Sequence, residues 1–91
     1  MFYWTDAPEW VQESLLAYAE HGIQPGDCLR AVLANDLMEA FKRADDDTGR
    51  RMAEIVSFVY NRLPMNCHGS SEIVDAWIQS HYARRQREDA P

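Results

Sequence analysis

Four stretches of this 91-residue chain carry apolar side chains at intervals of three and four positions, the spacing of an amphipathic helix. In the second stretch this apolar stripe includes Leu29, Leu33 and Leu37, with Phe41 beside it. In the third stretch it consists of Met52, Ile55, Val56, Val59 and Leu63. No stretch alternates with a period of two over the length of a strand. The pattern predicts an all-α protein, a compact bundle of four short helices over about residues 7–21, 28–43, 48–63 and 71–86.

Residues that start and stop helices separate the four stretches. Asp6 and Glu9 predict a capping box before the first helix, and Gly22 predicts a left-handed residue at its end. Pro64 predicts the end of the third helix, because the residue before a proline is pushed into an extended conformation. Ser70 predicts the N-cap of the fourth helix.

Charge and composition disfavour several classes of function. Fifteen acidic against nine basic side chains give a net charge of −6, whereas binding to duplex nucleic acid draws on a basic face. No apolar run approaches the ~20 residues of a membrane span, and the first residues lack the basic and apolar regions of a signal peptide. We therefore expect a single domain over residues 1–91, located in the cytoplasm, with loose termini at 1–5 and 87–91.

The sequence predicts neither a metal site nor catalysis. Its three histidines and two cysteines do not fall in the close pairs typical of zinc ligands, and we expect no cofactor. Cys67, His68, Ser70 and Ser71 are neighbours, but a nucleophile also needs a base within reach and a third group to orient that base. We expect Cys67 and Cys28 to be reduced thiols and the protein not to be an enzyme.

The first of three polar sets that interrupt the apolar pattern lies on the second predicted helix. Asn35 and Asp36 adjoin there, and Asp36 shares the apolar stripe of the helix. A carboxylate in that position needs a partner or water, because burying it alone is costly. Two interpretations stay open: an ion pair with Arg30, Arg43 or Arg62, or a polar pocket that Asn35 and Asp36 line.

The other two sets lie at predicted helix starts. Arg50 and Arg51 fall in the first turn of the third helix, where the helix dipole disfavours cations. Either the aspartates at 45–47 neutralise them, or the two guanidinium groups and the free helix amides form a site for phosphate. In the loop His68-Gly69-Ser70, either Ser70 is an ordinary N-cap or the backbone amides hold an anion or a sugar hydroxyl.

Short motifs follow one another in a fixed order between Tyr18 and Trp77. They are His21-Gly22-Ile23-Gln24-Pro25-Gly26, Ala31-Val32-Leu33-Ala34-Asn35-Asp36-Leu37, Arg43-Ala44-Asp45-Asp46, Tyr60-Asn61 and Cys67-His68-Gly69-Ser70. In these motifs, over about two thirds of its length, the chain resembles a group of short proteins encoded by bacteriophages and prophages. That group is expected to have an aromatic residue where this chain has His68. The resemblance implies a phage origin and a helical fold, and it implies no mechanism.

We therefore expect a small anti-defence protein of the phage type, which acts without catalysis in the host cytoplasm and sequesters a nucleotide-derived immune signal. The expected ligand-binding residues are Asn35, Asp36, Arg50, Arg51, Tyr60, Asn61, His68, Gly69 and Ser70. A homo-oligomer is expected, because one small core leaves little room for a cavity of ~300–1,000 Å³. The alternative is an acidic interaction module that inhibits a host defence protein, as an anti-CRISPR-like inhibitor or a nucleic-acid mimic.

Overall fold

The computed structural model describes residues 7–89, and every regular element within that range is a helix. The elements are α1 (Glu9–His21), α2 (Asp27–Leu33), α3 (Leu37–Arg43), α4 (Asp46–Arg50), α5 (Met52–Arg62), a 3₁₀ turn (Met65–Cys67) and α6 (Ser71–Asp89). The prediction of an all-α fold is confirmed. The prediction of four helices is wrong in detail, because two of the four are each divided into two.

The division of the second predicted helix lies at Asn35. This residue has a φ of 62°, in the left-handed region that Asn tolerates better than most side chains. Its amide donates to the Val32 carbonyl at 3.0 Å, and the Asp36 amide donates to the Ala31 carbonyl at 2.9 Å. These two bonds form a Schellman motif, which ends α2 at Leu33. The apolar spacing continues across the break, which is why periodicity alone predicts one helix over 28–43.

The third predicted helix is divided at Arg51, and its start lies earlier than expected. The Asp45 carboxylate accepts a 2.8 Å hydrogen bond from the Thr48 amide and caps α4, which begins at 46 rather than 48. α5 then runs to Arg62, and Leu63 is extended before Pro64, as the sequence predicts.

The outer ends of the bundle differ slightly from the prediction. α1 begins at Glu9 rather than 7, with Pro8 as its N-cap, and ends at Gly22 in the predicted left-handed conformation. Ser70 Oγ accepts from the Ile73 amide at 3.1 Å and caps α6, which continues past the expected end at 86. The predicted cap at Asp6 and the N-terminal segment 1–5 lie outside the described residues, as do positions 90–91.

The core is built around Tyr18, the largest fully buried side chain in the described part of the chain. Its hydroxyl donates to the Cys67 carbonyl at 2.7 Å, and its own carbonyl accepts a 3.1 Å bond from Trp77 Nε1. Burial raises the pKa of Tyr18, so the phenol stays a hydrogen-bond donor. One residue thus joins α1 to the 3₁₀ turn and to α6. Its fully buried neighbours are Val11, Leu15, Leu33, Ile55, Cys67 and Val74.

Two further findings concern the described chain as a whole. Cys28 and Cys67 are both free thiols, and burial is the main cause that raises the pKa of each. No helix within residues 7–89 has the length and apolar character needed to cross a membrane.

Replacing Tyr18 by Phe tests the bond to Cys67. We expect the free energy of unfolding to fall by about 1–3 kcal/mol, because the buried Cys67 carbonyl loses its donor. Tyr60→Phe is the matched control, since the Tyr60 side chain is exposed and its loss of a hydroxyl should change stability by less than about 0.5 kcal/mol. Urea denaturation followed by circular dichroism measures both. Equal stabilities for the two variants would contradict the role given to Tyr18.

Candidate functional site

A small cleft lies where the end of α2, the outer side of α5 and the loop after the 3₁₀ turn meet. We call it the His68 cleft; it has a volume of about 160 Å³ and is lined by Val32, Leu33, Asn35, Leu37, Val56, Val59, Tyr60, His68 and Gly69. The Gly69 amide donates to the Leu33 carbonyl at 2.7 Å, which fixes the loop against the end of α2. Five of the nine lining residues are Val or Leu, so the walls of the cleft are mainly aliphatic, with polar groups at a few points.

The polar group that stands out in this cleft is the imidazole of His68. Its Nε2 atom is buried and has no hydrogen-bond partner within the described residues. Burial lowers the pKa of His68, so the ring is neutral at pH 7 and Nε2 can either donate or accept according to its tautomer. An unpaired polar atom in such a place costs about 1–3 kcal/mol of stability. His68, which lines the cleft, therefore carries a hydrogen-bonding atom that the described chain does not use.

Next to the His68 cleft lies a wider apolar channel between α3 and α5. We call it the α3–α5 groove; its volume is about 610 Å³ and its lining residues are Leu37, Phe41, Met52, Ala53, Val56, Ser57, Tyr60 and Asn61. It shares Leu37, Val56 and Tyr60 with the His68 cleft, so the two are continuous. None of the groove's lining residues is charged.

The structure brings together part of the predicted site. Asn35, Tyr60, His68 and Gly69, from three separate segments of the chain, all line the His68 cleft, and Asn61 lines the adjoining groove. All five are among the ligand-binding residues that the sequence predicts, although only His68 and Gly69 were expected between helices. Their convergence gives a candidate site without fixing its ligand.

The predicted pair of arginines does not join this site. Arg50 is exposed in the last turn of α4, and Arg51 lies between two helices, with Nη2 2.8 Å from the Glu54 carboxylate. The prediction placed both in the first turn of one long helix, but α4 starts earlier and ends at Arg50. Neither arginine lines the His68 cleft or the α3–α5 groove.

Asp36 and Ser70, both predicted ligand-binding residues, cap helices in the structure. Asp36 is exposed, and its carboxylate accepts a 3.2 Å bond from the Glu39 amide at the start of α3. It lines a separate hollow beside Arg30 and Arg43, and it does not line the His68 cleft. Ser70 caps α6, and it lines neither the cleft nor the groove.

The arginines beside Asp36 have other acidic partners. Arg30 bonds Asp75 at 2.6 Å, and Arg43 bonds Glu39 at 2.9 Å and Asp27 at 3.4 Å. The bond to Arg43 is the main cause that lowers the pKa of Glu39. Ion pairing of Asp36 with Arg30 or Arg43 is therefore not what the structure shows; Asp36 is satisfied by backbone and solvent.

Sequence reasoning missed the apolar side of the site. Val56 was grouped with the core stripe of its helix, but it faces outward beside Tyr60 and Ala53. The available signal was an excess of apolar residues: α5 carries more of them than one buried face can take. Leu37 and Phe41 were read in the same way as members of a buried stripe, yet both are about half exposed.

Within the described residues no three His, Cys, Asp or Glu side chains come together as a metal site would require. Comparison with protein-family models, with curated proteins and with solved structures finds no match to this chain. The cleft and the groove are therefore the features of this chain that bear on its function.

The buried imidazole makes stability depend on pH. The folded state holds the pKa of His68 below its ordinary value, so the unfolded chain binds a proton more readily near pH 6.5. This contribution to the free energy of unfolding is complete above that pH, and it is lost as the pH falls through 6.5 toward the folded pKa. Urea titrations at pH 7.5, 6.5 and 5.5 should show a steeper loss of stability for the wild type than for His68→Phe. Parallel pH profiles would contradict the buried state of His68.

Proposed function

We propose that this protein is a small, non-catalytic binding protein that sequesters a nucleotide-derived molecule and holds its base in the His68 cleft. The observation that carries the proposal is the buried, unpartnered Nε2 atom of His68. A buried polar atom left without a partner at a cost to stability, on a side chain that lines a cleft, is typical of a functional site. A shift of the His68 ring would bring Nε2 to a ligand in the cleft. The proposed cytoplasmic location and the role against host defence are supported only by the sequence and its phage resemblance.

The chemistry of the cleft suits a flat ring with a hydrogen-bonding edge. Leu37 and Val56 offer an aliphatic surface, and the exposed ring of Tyr60 offers a face for stacking. The neutral imidazole of His68 and the side-chain amide of Asn35 can together donate and accept at the ring edge. A nucleobase has these two properties, whereas an aliphatic ligand would leave both polar groups unpaired.

The phosphate part of such a ligand finds no partner in the cleft. Its described lining contains no Lys or Arg, and Arg50 and Arg51 lie elsewhere. The base therefore supplies the binding free energy, and any phosphate of the ligand lies in solvent. Binding should then respond weakly to salt, in contrast to sites that hold phosphate by charge.

The alternative of an acidic interaction module has less support from the geometry. An acidic mimic needs an uninterrupted acidic face, but Arg43 binds two carboxylates and Arg30 and Arg51 each bind one. Cations are thus interleaved with the acids over this surface. Among the other exposed acids, Asp46 and Asp47 adjoin the capping residue Asp45 rather than a groove.

Titration calorimetry with a panel of purine and pyrimidine nucleosides and their mono- and cyclic nucleotides tests the proposal. We expect one base to bind, with similar affinity as nucleoside and as nucleotide. Asn35→Gly removes the amide but keeps the left-handed backbone, and it should weaken binding by about tenfold. Asn66→Ala, an exposed residue of the 3₁₀ turn, is the control. Absence of heat with every base would overturn the proposal.

His68→Phe separates binding from folding. The phenyl ring keeps the flat shape but removes the unpartnered nitrogen, so we expect the free energy of unfolding to rise by about 1 kcal/mol. The same variant should lose nucleoside binding. Urea denaturation and calorimetry measure the two effects, and a variant that is less stable than the wild type would show that Nε2 has a structural partner.

A further inference from the structure

The outer face of α5 repeats small and large residues at helical spacing. Ala53, Val56, Ser57 and Tyr60 follow one another at intervals of three, one and three positions, and all four line the α3–α5 groove. The opposite face of the helix is buried in the core through Met52, Ile55, Phe58 and Val59. α5 is therefore apolar on two sides, and the described chain covers only one of them.

The uncovered surface is large for a protein of this size. Leu37, Phe41, Val56 and Tyr60 are 48%, 50%, 37% and 77% exposed. Together they expose on the order of 400 Å² of mainly apolar surface, about half of the ~800 Å² that each partner contributes to a standard interface. The remaining groove residues and the rim can supply the rest. A contiguous apolar surface of this extent is typical of an interaction site.

We propose that a second copy of this chain covers the α3–α5 groove, with the two α5 helices antiparallel about a two-fold axis. If the axis crosses α5 between Val56 and Ser57, each of these residues faces the other across the interface. The same axis places Tyr60 of each copy opposite Ala53 of the other copy. The largest side chain of the face thus meets the smallest, which is the shape complementarity that a two-fold interface requires of a single surface.

The charge of the chain also favours a second copy as the partner that covers the α3–α5 groove. Each copy carries a net charge of −6, so two copies repel unless they meet where charge is absent. The groove lining has no charged residue, and it offers neither a basic nor an acidic partner anything to pair with. Two acidic copies can therefore associate through this surface without burying an unpaired charge.

The interface would also complete the proposed ligand site. Leu37, Val56 and Tyr60 belong both to the groove and to the His68 cleft, so the partner would cover the open side of the cleft. The dimer itself depends on the apolar face alone. It stands whether or not a nucleoside binds.

Sedimentation equilibrium of the ligand-free protein tests the dimer. The wild type should show a monomer–dimer equilibrium, and Val56→Asp should weaken it by about tenfold or more, because a carboxylate would enter the apolar interface. Met65→Asp is the matched control: Met65 is 86% exposed and lies outside the groove, so its change should leave the equilibrium as in the wild type. A monomeric wild type at all concentrations, or equal weakening by both variants, would overturn the proposal.

A charge-pair exchange tests the antiparallel register. Ala53→Lys and Tyr60→Glu should each weaken the homodimer, while an equimolar mixture of the two variants should form a heterodimer in which the introduced lysine faces the introduced glutamate. Each chain carries only one of the two substitutions, so the introduced charges can pair only between two copies. Circular dichroism checks that each variant is folded. Failure of the mixture to associate more tightly than either variant alone would overturn this register.

Discussion

The hydrogen bond from the Tyr18 hydroxyl to the Cys67 carbonyl is the interaction on which the site depends. It lies in the core, and it holds the 3₁₀ turn against α1. Trp77 Nε1 binds the Tyr18 carbonyl from α6, and the Gly69 amide binds the Leu33 carbonyl at the end of α2. The loop that carries His68 is thus fixed on both sides. Without these bonds the imidazole would have no defined place beside α2 and α5, and the cleft would not exist as a site.

A single backbone conformation at Asn35 shapes the other side of the site. A continuous helix over 28–43 would carry Leu37 and Phe41 onward along the line of α2. The left-handed turn at Asn35 ends α2, and Asp36 caps a new helix in another direction. The groove lies between that new helix and α5, and Asn35 itself lines the adjoining cleft. Asn35 therefore both ends α2 and lines the cleft beside that end.

Features with a local cause could be predicted from the sequence. Gly22 and Ser70 cap helices through bonds to residues within four positions, and Pro64 acts on its immediate neighbour. The divisions at Asn35 and Arg51 could not be predicted, because the apolar spacing runs through both. Arg50 and Arg51 were misplaced for the same reason: their position in a helix depends on where α4 begins. Which apolar side of α5 is buried depends on long-range packing, so Val56 was assigned to the core.

The His68 cleft, with its few polar groups, and the uncharged α3–α5 groove share Leu37, Val56 and Tyr60. In the proposed dimer, a ligand in the cleft and a second copy in the groove would contact the same three side chains. Binding at one would then change the free energy of binding at the other, and by linkage the effect must be equal in both directions. A base that fits only a cleft closed by the partner would strengthen the dimer by the same factor by which dimerisation strengthens its own binding. Coupling of this kind gives a short chain a larger and better-closed site than one core of this size can enclose.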